Sequence, residues 1–274
     1  MKKGLLYLFL ILLGWVMMYP LIWLLMGAFK TNNEIISGTS LLPSQFSLDG
    51  FVNGWTIGSQ YSFTLFFTNT FAMVIPVVLF TVFSSSIVAY GFSRFDFPMR
   101  RVLFSAMISS MLLPNAVIII PRYILFNNLE WINTYKPFTI PALLAGYPFF
   151  IFLMVQFIRG IPRELDEASK IDGCNSFMIF IKILLPLTKP ALFSAAIFQF
   201  VWTWNDFMNV LIYISSVRKY TVALALRMTI DISSGVKWNE IMAMSVLVII
   251  PPALLFFCAQ NYFVEGVTTT GLKS

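Results

Sequence analysis

Histidine is absent from the 274 residues. With it go the commonest metal ligand and the commonest general base near neutral pH, so an intramembrane metalloprotease or a histidine-dependent hydrolase is excluded. Cysteine is scarce: Cys174 lies in a charged stretch and Cys258 inside the last apolar block, so no disulfide framework is implied. Charge is scarce too. Only 11% of residues are Asp, Glu, Lys or Arg, less than half of what soluble domains carry. The motifs G-x-S-x-G and H-E-x-x-H and any Cys/His cluster are missing. So is G-x-x-x-x-G-K-[ST], which leaves the chain without a Walker-type phosphate cradle. If ATP powers anything here, its site belongs on another polypeptide.

What fills the space is apolar: 58% of residues are hydrophobic and 29 are Phe. A core of this chain length cannot bury so much apolar surface, and the bilayer is its natural solvent. The net charge of +6 fits the positive-inside bias of membrane proteins and needs no nucleic acid partner. Lys2 and Lys3 precede an uncharged run that imitates a signal peptide but is far too long for one. Six blocks at 5–29, 63–92, 102–126, 138–158, 191–215 and 241–264 each suffice for a membrane span. The expected fold is therefore an all-α membrane protein with six transmembrane helices in one domain, 1–274. Residues 1–4, 93–101, 159–190 and 265–274 hold eleven Lys and Arg in 55 positions, against six in the 69 positions of the other connecting tracts. That asymmetry places both termini in the cytoplasm. Pro76, Pro114, Pro121, Pro141, Pro148 and Pro251-Pro252 interrupt the blocks. Prolines delete helix hydrogen bonds, which suits either a bundle that opens and closes or the ordinary tolerance of membrane helices for proline.

The stretch 164–190 breaks this pattern with a charged, helix-capable island. Pro162 suits a first helical turn, and Glu164, Asp166 and Glu167 complement the helix dipole there. Ile161, Leu165 and Ala168 fall on one face, and Gly173 supplies a left-handed stop. Asn175 or Ser176 then caps a second helix with a stripe of Phe177, Phe180, Ile181 and Leu184, closed by Pro186 and Pro190. The spacing predicts a helix-turn-helix that docks into a partner. Glu167-Ala168-Ser169, three residues, Gly173, nine residues, then Ile183-Leu184-Leu185-Pro186 resembles the cytoplasmic EAA loop of importer-type ABC permeases, with Ser169 in place of the usual alanine. The resemblance implies an ATPase-coupling loop at 160–186, with Glu164, Glu167, Ala168, Ser169, Asp172, Gly173, Ile183 and Pro186 as its coupling residues.

A second constellation lies inside the fifth block: Gln199, Trp202, Trp204, Asn205, Asp206 and Asn209. Asp206 is the one carboxylate well inside an apolar block, and the blocks otherwise read as uncharged; such a residue is a functional hypothesis by default. Indole faces beside amides and a carboxylate suit a sugar, whose C–H face packs on the ring while its hydroxyls take hydrogen bonds. The alternative is an interfacial belt of Trp202 and Trp204, with Asp206 near the outer headgroups or paired within the bundle.

Over nearly its whole length the chain is similar to the maltose-type permeases of carbohydrate ABC importers. Trp204-Asn205-Asp206-Phe207 followed by Lys219-Tyr220-Thr221, and a tail ending Thr270-Gly271-Leu272-Lys273, add to the EAA island. The resemblance implies a bacterial inner-membrane heteromer translocating a sugar, expected to be an oligosaccharide. Its other parts are a paralogous permease, two ATP-binding subunits that hold ATP and Mg, and an extracytoplasmic sugar-binding protein. Around them is membrane lipid; no cofactor or metal is expected on this chain. The tract 216–240 would reach toward the binding protein. A stand-alone secondary transporter or channel is the competing reading at this point.

Overall fold

The computed structural model describes residues 2–38, 40–57, 60–230 and 235–271, with side chains described through 260. In chain order the helices are α1 (Lys2–Gly27), α2 (Asn32–Ser37), α3 (Asp49–Gly54), α4 (Phe63–Arg94), α5 (Arg100–Met111), α6 (Asn115–Asn128), α7 (Lys136–Leu143) and α8 (Pro148–Arg159). There follow α9 (Glu164–Ile171), α10 (Ser176–Ile179), α11 (Leu185–Leu187), α12 (Lys189–Trp204), α13 (Met208–Tyr213), α14 (Val222–Met228) and α15 (Trp238–Gly271). A hairpin of two short strands, β1 (Thr56–Ile57) and β2 (Tyr61–Ser62), departs from the all-α expectation.

Four stretches are long and apolar enough to cross a membrane: Lys3–Gly27, Phe63–Arg94, Lys136–Arg159 and Trp238–Gln260. Two bent pairs raise the number to six if each is one span. The expected block 102–126 falls on the first pair, and 191–215 overlaps the second helix of the other. α5 and α6 meet at 105°, and the bend falls at Pro114, whose extended backbone caps α6 instead of continuing α5. The fifth block begins as α12, bent by 74° from the helices before it, and stops at Trp204; α13 is a separate short helix. Pro148 opens α8, whereas Pro76, Pro121 and Pro141 sit inside continuous helices. Of the tail motif, Leu272-Lys273 lies outside the described residues.

The chain divides into two compact units. The first comprises residues 1–69 and 220–251. In it α1 is solvent-exposed along most of its length. Phe29 packs on Phe46 and Phe51, and Trp55, Phe63, Phe66 and Phe67 form a second ring cluster. Asn32 accepts the Trp238 amide at 2.8 Å, and Gly50 lies so near the Asn239 carbonyl that a Cβ would come within 2.7 Å of it. The tract 216–240 carries α14, which buries Val222, Leu224 and Ala225.

The second unit comprises residues 70–219 and 252–274. Its core forms because α8 places Phe150, Ile151, Met154, Val155 and Ile158 on one stripe at helical spacing. Ala89 and Ala191 are the small residues that let helices approach that stripe, with Phe92 and Phe104 filling its edge.

Candidate functional site

On α12, Gln199, Trp202 and Thr203 are three and four residues apart and share one face. The helix ends at Trp204, and Asp206 then turns back to cap the next one. Its carboxylate accepts the Asn209 backbone N–H at 3.1 Å and the Asn209 side-chain amide at 3.0 and 2.9 Å. These residues line a cavity of about 320 Å³ whose other walls are Arg122 on α6, Pro137 and Phe138 on α7, Tyr147 and Tyr213. Tyr147 reaches it because the chain breaks between α7 and α8. Ala145 takes a left-handed φ of 58°, and a Cβ on Gly146 would meet the Pro141 carbonyl at 2.8 Å. Tyr213 is held by ring contacts to Phe126 and Phe138.

The loop ahead of α7 braces this wall. Left-handed Asn133 donates its amide to the Tyr213 carbonyl at 2.7 Å and accepts the Ser216 amide at 3.0 Å. The Lys219 ammonium donates to the Asn133 carbonyl at 2.7 Å, and the Tyr135 hydroxyl donates to the Lys219 carbonyl at 2.9 Å. Burial pushes the Tyr135 phenol up to about 12, so it remains a donor throughout the physiological range.

The cavity is polar and only partly self-satisfied. Gln199 donates to the Thr203 hydroxyl at 2.8 Å, but its buried carbonyl oxygen has no hydrogen-bond partner, and neither has that of Asn209. Ion pairs among the described residues join Arg94 to Asp166, Arg100 to Asp96 and Lys237 to Glu240. Arg122 and Asp206 therefore face the same space unpaired to each other. A neighbouring, mostly apolar chamber of about 720 Å³ shares Arg122, Tyr147 and Trp202.

Four of the six residues singled out for this site converge here: Gln199, Trp202, Asp206 and Asn209. Trp204 and Asn205 do not line the cavity. Trp204 is 1% exposed and packs between Phe71 and Phe200, whereas Asn205 is exposed and donates to the Val201 carbonyl at 2.8 Å. Trp204 points away because a helix turns through about 200° between Trp202 and a residue two further on, and Asn205 lies past the end of α12 as its C-cap. The expectation that the blocks are uncharged apart from Asp206 was wrong: Arg122 lies within 102–126 and lines the cavity. That lone cation was the signal available for the opposite wall; Tyr147 and Tyr213 gave none.

The acidic island is the second candidate. α9 begins at Glu164 after Arg163, so Pro162 lies before the helix and not in its first turn. Glu164, Asp166 and Glu167 occupy that turn as expected. Its buried side within this chain is Asp166 and Ser169, and Leu165 and Ala168 are left exposed. Gly173, at φ 85°, ends the helix in a Schellman motif: its amide donates to the Lys170 carbonyl and that of Cys174 to the Ser169 carbonyl. Asn175 caps α10 by accepting the Met178 amide at 2.8 Å.

Of the stripe Phe177, Phe180, Ile181 and Leu184, Leu184 is buried with Ile179, Phe180 is half-buried, and Phe177 and Ile181 are exposed. A π-helical turn over Phe180–Leu184 shifts the register. Pro186 has no N–H to give the Lys182 carbonyl, and the Leu185 amide bonds back to the Phe180 carbonyl instead. Pro186 thus sits inside α11, and Pro190 in the first turn of α12. Of the named loop residues, Ser169 is buried, Ile183 half-buried, and Glu164, Glu167, Ala168, Asp172, Gly173 and Pro186 are exposed. Ile171 at 87% and Phe177 at 70% exposure stand out on the surface with Leu165 and Ile181. Contiguous apolar groups exposed on a charged loop mark a protein contact.

Residues 82–269 match the family described as "Binding-protein-dependent transport system inner membrane component". The chain belongs to that family. It is 32% identical to the arabinooligosaccharides transport system permease protein AraQ of Halalkalibacterium halodurans, over 95% of this chain and 93% of that one. It is 28% identical to the trehalose/maltose transport system permease protein MalG of Thermococcus litoralis, over 100% and 98%. Its fold matches a chain of a bacterial ABC transporter involved in the import of the acidic polysaccharide alginate, with a TM-score of 0.84 at 20% identity over 96% of both chains. This inner-membrane component is thus a multi-pass subunit of a binding-protein-dependent transporter. The stand-alone transporter or channel reading falls with that membership.

Proposed function

We propose that this chain is the permease subunit of an ATP-driven importer for an oligosaccharide handed over by an extracytoplasmic binding protein. A paralogous permease completes the membrane path. Two ATP-binding subunits hold ATP and Mg and dock on loop 160–186, with both termini on their side of the membrane. This chain contributes no ATPase site of its own. The relatives' sugar-transport names support the substrate class. The observation that carries it is the cavity. The Trp202 ring, the unpartnered oxygens of Gln199 and Asn209, and the facing charges of Arg122 and Asp206 offer stacking and hydrogen bonding in one small space.

In mechanism, the binding protein releases its sugar toward the membrane when the ATPases close, and the permease pair presents the path first outward and then inward. Asp206 does two things in this chain: it caps α13 through Asn209 and keeps a carboxylate on the path. Asparagine at 206 preserves an oxygen to accept the Asn209 amide but removes the charge. In vesicles carrying the full assembly, Asp206→Asn and Trp202→Ala are expected to lower uptake of a labelled oligosaccharide by about three- to tenfold, on the order of 1 kcal/mol. The amount of assembled transporter should not change. Uptake at wild-type rate and with wild-type preference in both variants would remove the cavity from the path.

A further inference from the structure

We infer that Arg94 and Asp166 form the pivot through which movement of the acidic loop reaches the long helix α4; the inference rests on the coupling reading proposed above. Both helices of the loop hang from the last two turns of α4. The Arg94 Nε contacts Asp166 Oδ2 at 2.6 Å, and Arg94 also donates from Nη2 to the Ile161 carbonyl at 2.9 Å. Arg163 returns the grip by donating to the Ser93 carbonyl at 3.2 Å. One turn earlier, the Tyr90 hydroxyl donates to the Ser176 carbonyl at 2.9 Å, and its ring stacks on Phe180 at 5.0 Å. Thus α9 is held by charge and α10 by an aromatic plate, both at the end of α4.

The pair is nearly excluded from solvent, so separating its members strands a charge, and the two elements move together. It is not locked, however. Arginine and carboxylate often meet through two parallel bonds, and here only one carboxylate oxygen is engaged; Asp166 Oδ1 is buried with no hydrogen-bond partner. The guanidinium has a second oxygen to turn onto without releasing the first. A contact that rotates but does not part is what a joint between a docked loop and a membrane helix requires. Asp166 also explains why the acidic first turn is not wholly available to a partner: Glu164 and Glu167 face out while Asp166 faces α4.

The test uses the complete assembly in vesicles with loaded binding protein, recording assembly yield, ATP hydrolysis and sugar uptake. Asp166→Asn keeps the shape but not the charge. Arg94→Lys keeps the charge but not the reach to both Asp166 and Ile161. Each is expected to assemble normally, hydrolyse ATP at no less than half the wild-type rate, and transport at least about fivefold fewer sugars per ATP. The exchange Arg94→Asp with Asp166→Arg is expected to recover part of that ratio. An unchanged sugar-per-ATP ratio in both single variants overturns the pivot. So does a loss that follows assembly yield alone, which marks a purely structural pair. If the wild-type chain itself draws no ATPase subunits into the assembly, the coupling reading fails, and the pivot with it; that result is separable because it does not depend on either variant.

Discussion

In the acidic loop the residues that matter are neighbours in the chain, and their apolar members face outward. In the cavity they come from α6, α7, α12 and α13 and the breaks between them, and their polar members face inward. The loop leaves its leucine, isoleucine and phenylalanine side chains exposed in this chain, so burying them requires a second one. The cavity is a polar-walled space inside one chain, so its oxygens are left for a ligand to satisfy. Two tryptophans, two positions apart, show the boundary. Trp202, 49% exposed, lines the cavity, whereas Trp204 is sealed between rings.

That pair gives the largest expected effect. Trp204→Ala empties a fully packed site, a change that costs about 3–5 kcal/mol in comparable cores. Thermal unfolding of the detergent-purified assembly should shift down and the yield should fall. The molecules that survive should keep wild-type sugar preference. A changed preference without lost stability would put Trp204 on the path and erase the distinction from Trp202.

Next in size is Gly173→Val, which strikes the loop and leaves the cavity alone. A β-branched residue at φ 85° is strained by roughly 1–2 kcal/mol, and nothing else crowds the position. The strain is relieved by undoing the Schellman turn that sets α9 against α10. Insertion of the membrane helices should be intact by protease mapping, while uptake falls by about tenfold or more. Wild-type uptake and wild-type ATPase stimulation in that variant would show that the turn does not position the docking surface.

How much of this could be read beforehand follows the same division. The loop was legible because caps and stops are local chemistry: Asn175, Gly173 and the three early carboxylates act within a few residues of themselves. Its buried face was not legible, since Asp166 is drawn inward by Arg94, seventy-two positions earlier, and the π turn at Phe180–Leu184 upsets the 3.6-residue count. The six apolar blocks announced themselves by length, yet their shape did not. Pro114 and Pro76 look alike in a sequence, and only the first marks a bend. For the cavity, α12 was visible as a cluster, and the opposite wall was visible as a single cation, Arg122. Tyr147 and Tyr213 depend on left-handed turns at Ala145, which rarely takes that conformation, and at Asn133, which takes it readily but occurs as often elsewhere.

The smallest expected effect sharpens the comparison most finely. Asn205 adjoins Asp206 in the chain and was grouped with it by sequence, but it faces out and gives its amide to the Val201 carbonyl on its own helix. A substitution there is expected to alter stability by no more than about 0.5 kcal/mol. Asn205→Ala should therefore leave uptake and its coupling to ATP within about twofold of wild type, the same energy expressed as a rate. If Asn205→Ala slowed uptake as much as Asp206→Asn, proximity along the chain would matter more than the cavity wall. The translocation path would then run along the open side of α12, outside the space that Arg122, Gln199 and Asp206 enclose.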